Sequence, residues 1–256
     1  MELTWLWLLL GGAGAGVINA VAGGGALLLF PLLLQLGITP LAANATTSIA
    51  MGPGALASAY AYRHHLKLLP RRYFWLLAPC LIGGGIGGSL VEHSRDSAFS
   101  ALVPWSILFA AGLLAVQPLI HTLLHTRRYL KLKQLHRHGI FAAVFVGMLV
   151  VSVYGGYFSA GFGILMLAIL GLSEIKDMQQ LNGLKNLTSI TIHLISGVLF
   201  IMAGFIDWHV FIWLLLGNIA GGWAGAHFSA RLPAHFIHAA IIAIGLVVAG
   251  ILFTQL

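Results

Sequence analysis

The sequence predicts an all-α polytopic integral membrane protein with about eight full transmembrane helices, two short broken or re-entrant helices, and two internal repeats of inverted topology. Three observations predict it. Of the 256 residues, 59% are hydrophobic and only 7% charged, against roughly a quarter charged in a soluble domain. Apolar runs of about 20 residues, the length a bilayer requires, follow one another along the chain. The third observation is internal repetition: residues 22–29 return as 160–167, Thr47-Ser48-Ile49 returns as Thr188-Ser189-Ile190, and Gly84–Gly88 returns as Gly221–Gly225. The order is kept and the offsets lie between 137 and 141 residues, so the repetition marks two structural halves.

Taken in order, the full-length apolar runs are 3–22, 41–62, 72–92, 98–120, 139–158, 180–203, 207–229 and 233–254. Two shorter runs, 24–36 and 163–172, directly follow the glycine clusters Gly23-Gly24-Gly25 and Gly161-Phe162-Gly163. They are short for a crossing and read as half-helices, admissible at depth where protein or water surrounds the broken backbone. Phe30-Pro31 and Pro53 are expected to bend or end helices. Gly83–Gly88 and its echo have small residues at helical spacing, which suits close helix contact. The organisation is a first repeat over 1–120, a basic linker over 121–138 and a second repeat over 139–256.

Charge placement sets the topology. The net charge of +7 is not a nucleic-acid signature, because nine of the thirteen Lys/Arg residues fall in two stretches between apolar runs. These are Arg63, Lys67, Arg71 and Arg72, then Arg127, Arg128, Lys131, Lys133 and Arg137, a positive-inside pattern. If each short run carries the chain across, each half has five passes and the halves face opposite ways. That arrangement puts Lys176 and Arg231 with the basic loops, and Asp207 and both termini on the other side. The chain has one cysteine, Cys80, so an internal disulfide or cysteine metal cluster is excluded. His121 and His125 share a helical face, but with His136 and His138 they are interleaved with cations and lack a carboxylate, so the linker reads as a solvated loop. No metal or cofactor is expected. The N-terminal run lacks a basic n-region and reads as the first membrane segment.

The interrupted segments are the candidate site. A helix ending at Gly23, Gly24 and Gly25 leaves backbone groups without intrahelical partners, and a helix restarting there points free N–H groups and its positive dipole end at the gap. Glycine lets a ligand approach the backbone, a combination suited to a small anion. The second half offers Gly161, Phe162 and Gly163. Candidate binding residues around the gaps are Asn19, Asn44, Thr47 and Ser48, then Ser159, Lys185, Asn186, Thr188 and Ser189. Lys185 is the one basic residue inside a predicted span, roughly 10 Å from its start. With no acidic partner in that span it reads as the counter-charge to a substrate anion. The competing reading has Lys185 reaching back to the interface. His193, two turns on, is a proton-coupling candidate, against the plainer reading of a packed histidine.

The run Asn19–Pro31, followed by Leu36-Gly37-Ile38 and Ala42–Thr47, resembles the glycine-rich motif of the sulfite exporter TauE/SafE family. Gly204–Trp208 followed by Gly221–Gly225 is similar to that family's repeat ending. The second half departs from the pattern, with Ile169 in the proline's place and Lys185-Asn186 where small residues are usual. The resemblance implies a multi-pass transporter of the bacterial-type inner (cytoplasmic) membrane, moving sulfite, thiosulfate, sulfoacetate or other organosulfur anions outward and driven by protons.

The leading expectation is therefore a secondary transporter, an exporter, of a small sulfur-containing anion such as sulfite or a short organosulfonate. Its partners would be that anion and the lipid bilayer, with no nucleic acid; a homodimer is compatible with the sequence. The alternatives are an anion channel, a carrier of other small carboxylates or oxyanions, a membrane assembly factor, and a membrane-embedded enzyme. The last is disfavoured because the six acidic residues lie at predicted ends or loops and the histidines are dispersed.

Overall fold

The computed structural model describes residues 4–94, 98–112, 115–116, 137–229 and 250, and among these every regular element is a helix. In chain order they are α1 (Thr4–Val21), α2 (Ala26–Gln35), α3 (Pro40–Ala61), the single turn α4 (Arg63–Leu66), α5 (Leu77–Glu92) behind a 3₁₀ stretch at Arg71–Leu76, α6 (Ala98–Gly112), α7 (Arg137–Tyr157), α8 (Phe162–Leu170), α9 (Met178–Met202) and α10 (Trp208–Phe228). Among the described residues, five stretches are long and apolar enough to cross a membrane: Thr4–Val21, Arg71–Glu92, Gly139–Tyr157, Met178–Met202 and Trp208–Phe228. With 22 residues α3 is as long, but its Asn44, Thr46, Thr47 and Ser48 lower its hydropathy, and all four are buried. Large apolar side chains such as Leu56, Val150, Leu194 and Met202 point outward, as they do where lipid is the solvent. The protein is a multi-pass membrane protein.

Pro31 and Pro53 lie inside α2 and α3, which continue through them and do not end there. The predicted run 98–120 is helical over Ala98–Gly112, and its end beyond 116, the linker as far as 136, Arg231 and the run 233–254 lie outside the described residues.

Glycines decide which helices touch. On α5, Gly83 and Gly87 lie against Leu149 and Val153 of α7, while Gly84 and Gly88 lie against Ile192 and Ser196 of α9. On α10, Gly217 and Gly221 lie against Leu9 and Ala13 of α1, while Gly222 lies against Gly54 and Ser58 of α3. In each case two adjacent glycine columns let one helix nest its backbone between two others. Ser58 fixes the second seam by sharing its hydroxyl with the carbonyls of Gly54 and Gly222, both at 2.9 Å. The pairing follows the sequence repeat, since α1, α3 and α10 stand to one another as α7, α9 and α5 do.

The same contacts give directions. Moving forward along α1, Gly12 and Gly16 meet Leu214 and Asn218, so α1 and α10 run parallel, and α5 and α7 do likewise. Moving forward along α3, Ile49, Gly52 and Tyr62 meet Gly197, His193 and Gly183, so α3 and α9 run antiparallel. The short helices fold back on their predecessors: Gly11, Gly14 and Ala15 of α1 meet Leu32, Leu28 and Gly25, and Gly147 and Gly155 of α7 meet Ile169 and Phe162. Each half thus opens with a helical hairpin whose turn is a glycine break.

Candidate functional site

The first break begins where α1 stops at Val21. The Ala22 N–H still reaches the Ile18 carbonyl at 2.8 Å, but Gly23 takes φ +82°, a left-handed conformation that a Cβ would strain. The chain then turns and restarts as α2 after Gly25. The second break is built alike: α7 ends at Tyr157, Phe158 N–H reaches Tyr154 O at 2.7 Å, Gly161 takes φ +80° and α8 restarts at Phe162. Neither restart has a side-chain cap, so the first N–H groups of α2 and α8 are left for backbone or ligand partners. The breaks touch. A Cβ added to Gly163 would lie 2.6 Å from the Gly23 Cα and carbonyl oxygen, which only glycine at both positions allows.

The spare carbonyls at the two breaks are taken by side chains from the opposite half. Lys185 Nζ donates to the Asn19 and Ala20 carbonyls, and Asn186 Nδ2 donates to Ala20 O at 3.1 Å. Asn44 Nδ2 donates to Tyr157 O at 2.9 Å, and its Oδ1 accepts from Ser159 N at 3.1 Å and Ser159 Oγ at 3.3 Å. A cation at the last turn of α1 is also the sign its dipole favours. Lys185 is completely buried and is the one buried side chain with a formal charge among the described residues, histidine counted neutral.

These contacts revise the roles of several predicted residues. Lys185 does not reach back to an interface. Two of its three ammonium protons go to the end of α1, a partner the sequence reading did not weigh because it lies on another helix. Thr188 and Ser189 were expected to donate to an anion. Their hydroxyls instead donate to carbonyls of their own helix, Thr188 to Leu184 and Lys185, Ser189 to Lys185 at 2.8 Å, the common habit of buried hydroxyls in helices. Ser48 Oγ lies 3.1 Å from His193 Nδ1, and the His193 ring meets Phe162 edge-on at 5.3 Å between centroids. That leaves Thr47 Oγ1, Asn182 Oδ1, Asn186 Oδ1 and His193 Nε2 buried without a hydrogen-bond partner among the described residues. Buried polar groups in this state are rare and costly; these four lie on α3 and α9, and Tyr62 Oη, Arg72 Nε and Asn218 Nδ2 are in the same state elsewhere. Asn19 contributes its carbonyl to the lysine, and Gly24 and Gly25 form the first turn into α2, with Leu27 N–H on Gly24 O at 3.0 Å.

Two recesses flank this core. One, of about 340 Å³, is lined by Leu69, Pro70, Arg72, Tyr73, Glu174, Ile175, Lys176, Asp177 and Gln180. The other, of about 520 Å³, is lined by Thr39, Leu41, Ala42, Gly204, Phe205, Ile206, Asp207 and Trp208. The first lies where α3 has ended and α9 begins, the second where α3 begins and α9 has ended. Lys176 therefore shares a mouth with Arg72, and Asp207 lies at the other.

A polar, glycine-broken centre with one buried lysine thus lies inside an apolar helical bundle, with a recess at each end of the α3–α9 pair. The sulfite exporter TauE/SafE family matches this sequence over residues 8–252. The chain belongs to that family. It is 30% identical over 220 residues to a probable membrane transporter protein of Haemophilus influenzae, covering 83% of this chain and 80% of the relative. It is 24% identical over 241 residues to the probable membrane transporter protein ORF9 of a Sinorhizobium species, covering 92% and 87% respectively. No solved structure matches. Family and relatives together identify a membrane transporter.

Proposed function

We propose that this TauE/SafE family member is a proton-coupled secondary transporter, working as an exporter in a bacterial-type inner membrane, for a small sulfur-containing anion such as sulfite or a short organosulfonate. The observation that carries the reading is the meeting of Gly23 and Gly163 beside Lys185. It brings two backbone breaks and the core's one formal charge to a single place. The third proton of Lys185, the Thr47 hydroxyl and the backbone N–H groups that precede Leu27 in the first break and Ile164 in the second are the donors for an anion there, since Leu27 and Ile164 already donate to Gly24 and Gly161. Asn44, Ser159 and Asn186 hold the breaks in shape, with Thr188 and Ser189 behind Lys185. Direct backbone contact between the breaks supports a carrier over an open channel, because the anion sits between them only when they part.

Two repeats of inverted topology, 1–120 and 139–256 around the linker, account for the antiparallel α3 and α9 and for the parallel pairs α1–α10 and α5–α7. The separation of Lys176 from Asp207 supports the same topology.

The test is flux in proteoliposomes loaded with sulfite, methanesulfonate or acetate. Uptake or release of the sulfur anions that follows an imposed proton gradient, with weak competition by acetate, is the expected result. Flux indifferent to the gradient favours a channel, and equal handling of acetate favours a general carboxylate carrier.

A further inference from the structure

The mouth lined by Arg72 and Glu174 carries a feature that anion binding does not use. Arg72 lies in the first half, between α4 and α5, and Glu174 in the second, just past α8. The Arg72 Nη2 and a Glu174 carboxylate oxygen form an ion pair across the two. Arg72 is further held by the Tyr73 ring, 5.1 Å from the guanidinium carbon. A second contact lies nearby between α4 and the start of α9, His65 Nδ1 lying 3.5 Å from Asp177 Oδ2. The equivalent mouth at the other end is closed differently. There the Asp207 carboxylate is spent on its own helix, accepting from His209 and Val210 N–H at 3.1 Å. The tie across is a neutral bond from Asp207 N–H to Thr46 Oγ1 at 3.0 Å, and no ion pair spans that mouth among the described residues.

Glu174 is connected to the core by α8. One end of this nine-residue helix is the break, where Gly163 touches Gly23, and the other leads within four residues to Glu174. Its apolar side chains Ile164, Met166, Leu167 and Leu170 are buried, so it is packed along its whole length. We propose that the Arg72–Glu174 pair is a gate on the basic side of the transporter, and that α8 is the lever through which opening of that gate parts the glycine breaks. Both partners are partly exposed, 30% and 41% at the side chain. An ion pair in that setting contributes little to fold stability, which suits a contact that must break and re-form in every cycle. The proposal takes its purpose from the carrier reading above, but its test does not depend on transport.

The single cysteine makes the test direct. In a Cys80→Ala background, Ser159→Cys and, separately, Ala22→Cys place a thiol at each break. The rate of modification by a small methanethiosulfonate reagent then reports how often the breaks are open. Glu174→Gln and Arg72→Gln are each expected to raise that rate about fivefold, the shift that loss of one partly exposed ion pair carries. The reversed pair Arg72→Glu with Glu174→Arg is expected to return it to the parent value, and because the reversal removes no charge it also controls for misfolding. Rates unchanged by both single substitutions, or a reversed pair as reactive as the singles, overturn the gate while leaving the anion site untouched. The anion site fails by a different result, unaltered sulfite binding in Lys185→Asn.

Discussion

Asn44 and Lys185 make the same contact in opposite halves. Asn44 donates to the carbonyl of Tyr157 at the end of α7, and Lys185 donates to the carbonyl of Asn19 near the end of α1. Lys185 follows Asn44 by 141 residues, the offset that relates Thr47 to Thr188. Tyr157 follows Asn19 by 138, the offset that relates the two glycine clusters. The same helix cap is therefore made by a neutral amide in one half and by an ammonium in the other. The neutral copy shows what the contact needs for folding, and the charged copy carries in addition a positive charge.

That comparison separates structure from function at Lys185. Lys185→Asn keeps a donor on the same helix and is expected to unfold within a few degrees of the parent in detergent. Lys185→Met removes both ammonium hydrogen bonds to the end of α1, although Gly23 N–H still reaches the Asn19 carbonyl at 3.2 Å, and is expected to lose about 1–3 kcal/mol. Thermal unfolding of the two variants side by side checks this; equal stability of both would remove the capping role.

Asn44 is expected to matter through geometry. Asn44→Ala removes three hydrogen bonds at once and strands the Tyr157 carbonyl and the Ser159 N–H, at a cost of about 1–3 kcal/mol for each buried group left unsatisfied. Asn44→Asp retains acceptors for Ser159 but sets a carboxylate against the Tyr157 carbonyl, so it is expected to be no better than alanine. Denaturation in detergent reads both, and an aspartate variant as stable as the parent would contradict the assigned orientation of the amide.

The break itself is testable with two glycines of equal conformation. Gly23 and Gly37 have φ of +82° and +80°, so alanine at either pays a left-handed penalty of about 1–2 kcal/mol. A Cβ at Gly37 meets nothing within 4 Å, whereas at Gly23 it meets the Gly163 backbone at 2.5 Å. Gly23→Ala is therefore expected to be the more destabilising by a further 1–3 kcal/mol or so, the usual cost of overpacking. Equal losses in the two variants would mean that the breaks are not in contact.

Much of this fold was legible in the sequence. Duplication is visible because glycine has few substitutes where backbones touch, so Gly23 and Gly161, and the columns at Gly83–Gly88 and Gly217–Gly225, survive as a readable pattern. Periodicity and length found α1, α5, α7, α9 and α10. Partners were less legible. Nothing in a linear sequence says that Lys185 meets carbonyls 165 and 166 residues away, or that Arg72 meets Glu174. Hydroxyls were legible only as alternatives for a local reason: Thr188 and Ser189 donate within one turn of their own helix, and composition alone does not distinguish a hydroxyl that serves its own helix from one that serves a ligand. Of the two outcomes open to the prolines, ending the helix does not occur, because Pro31 and Pro53 sit in helices held by close neighbours, which outweighs the bond each one removes.

The account stands most directly on sulfite binding measured by calorimetry on purified protein, with the parent and Lys185→Asn compared at one pH. It predicts binding by the parent and a loss of about 10- to 100-fold in the variant, the value of a charge-assisted hydrogen bond, with the fold intact by thermal unfolding. Parent-like sulfite affinity in a folded Lys185→Asn protein would contradict it.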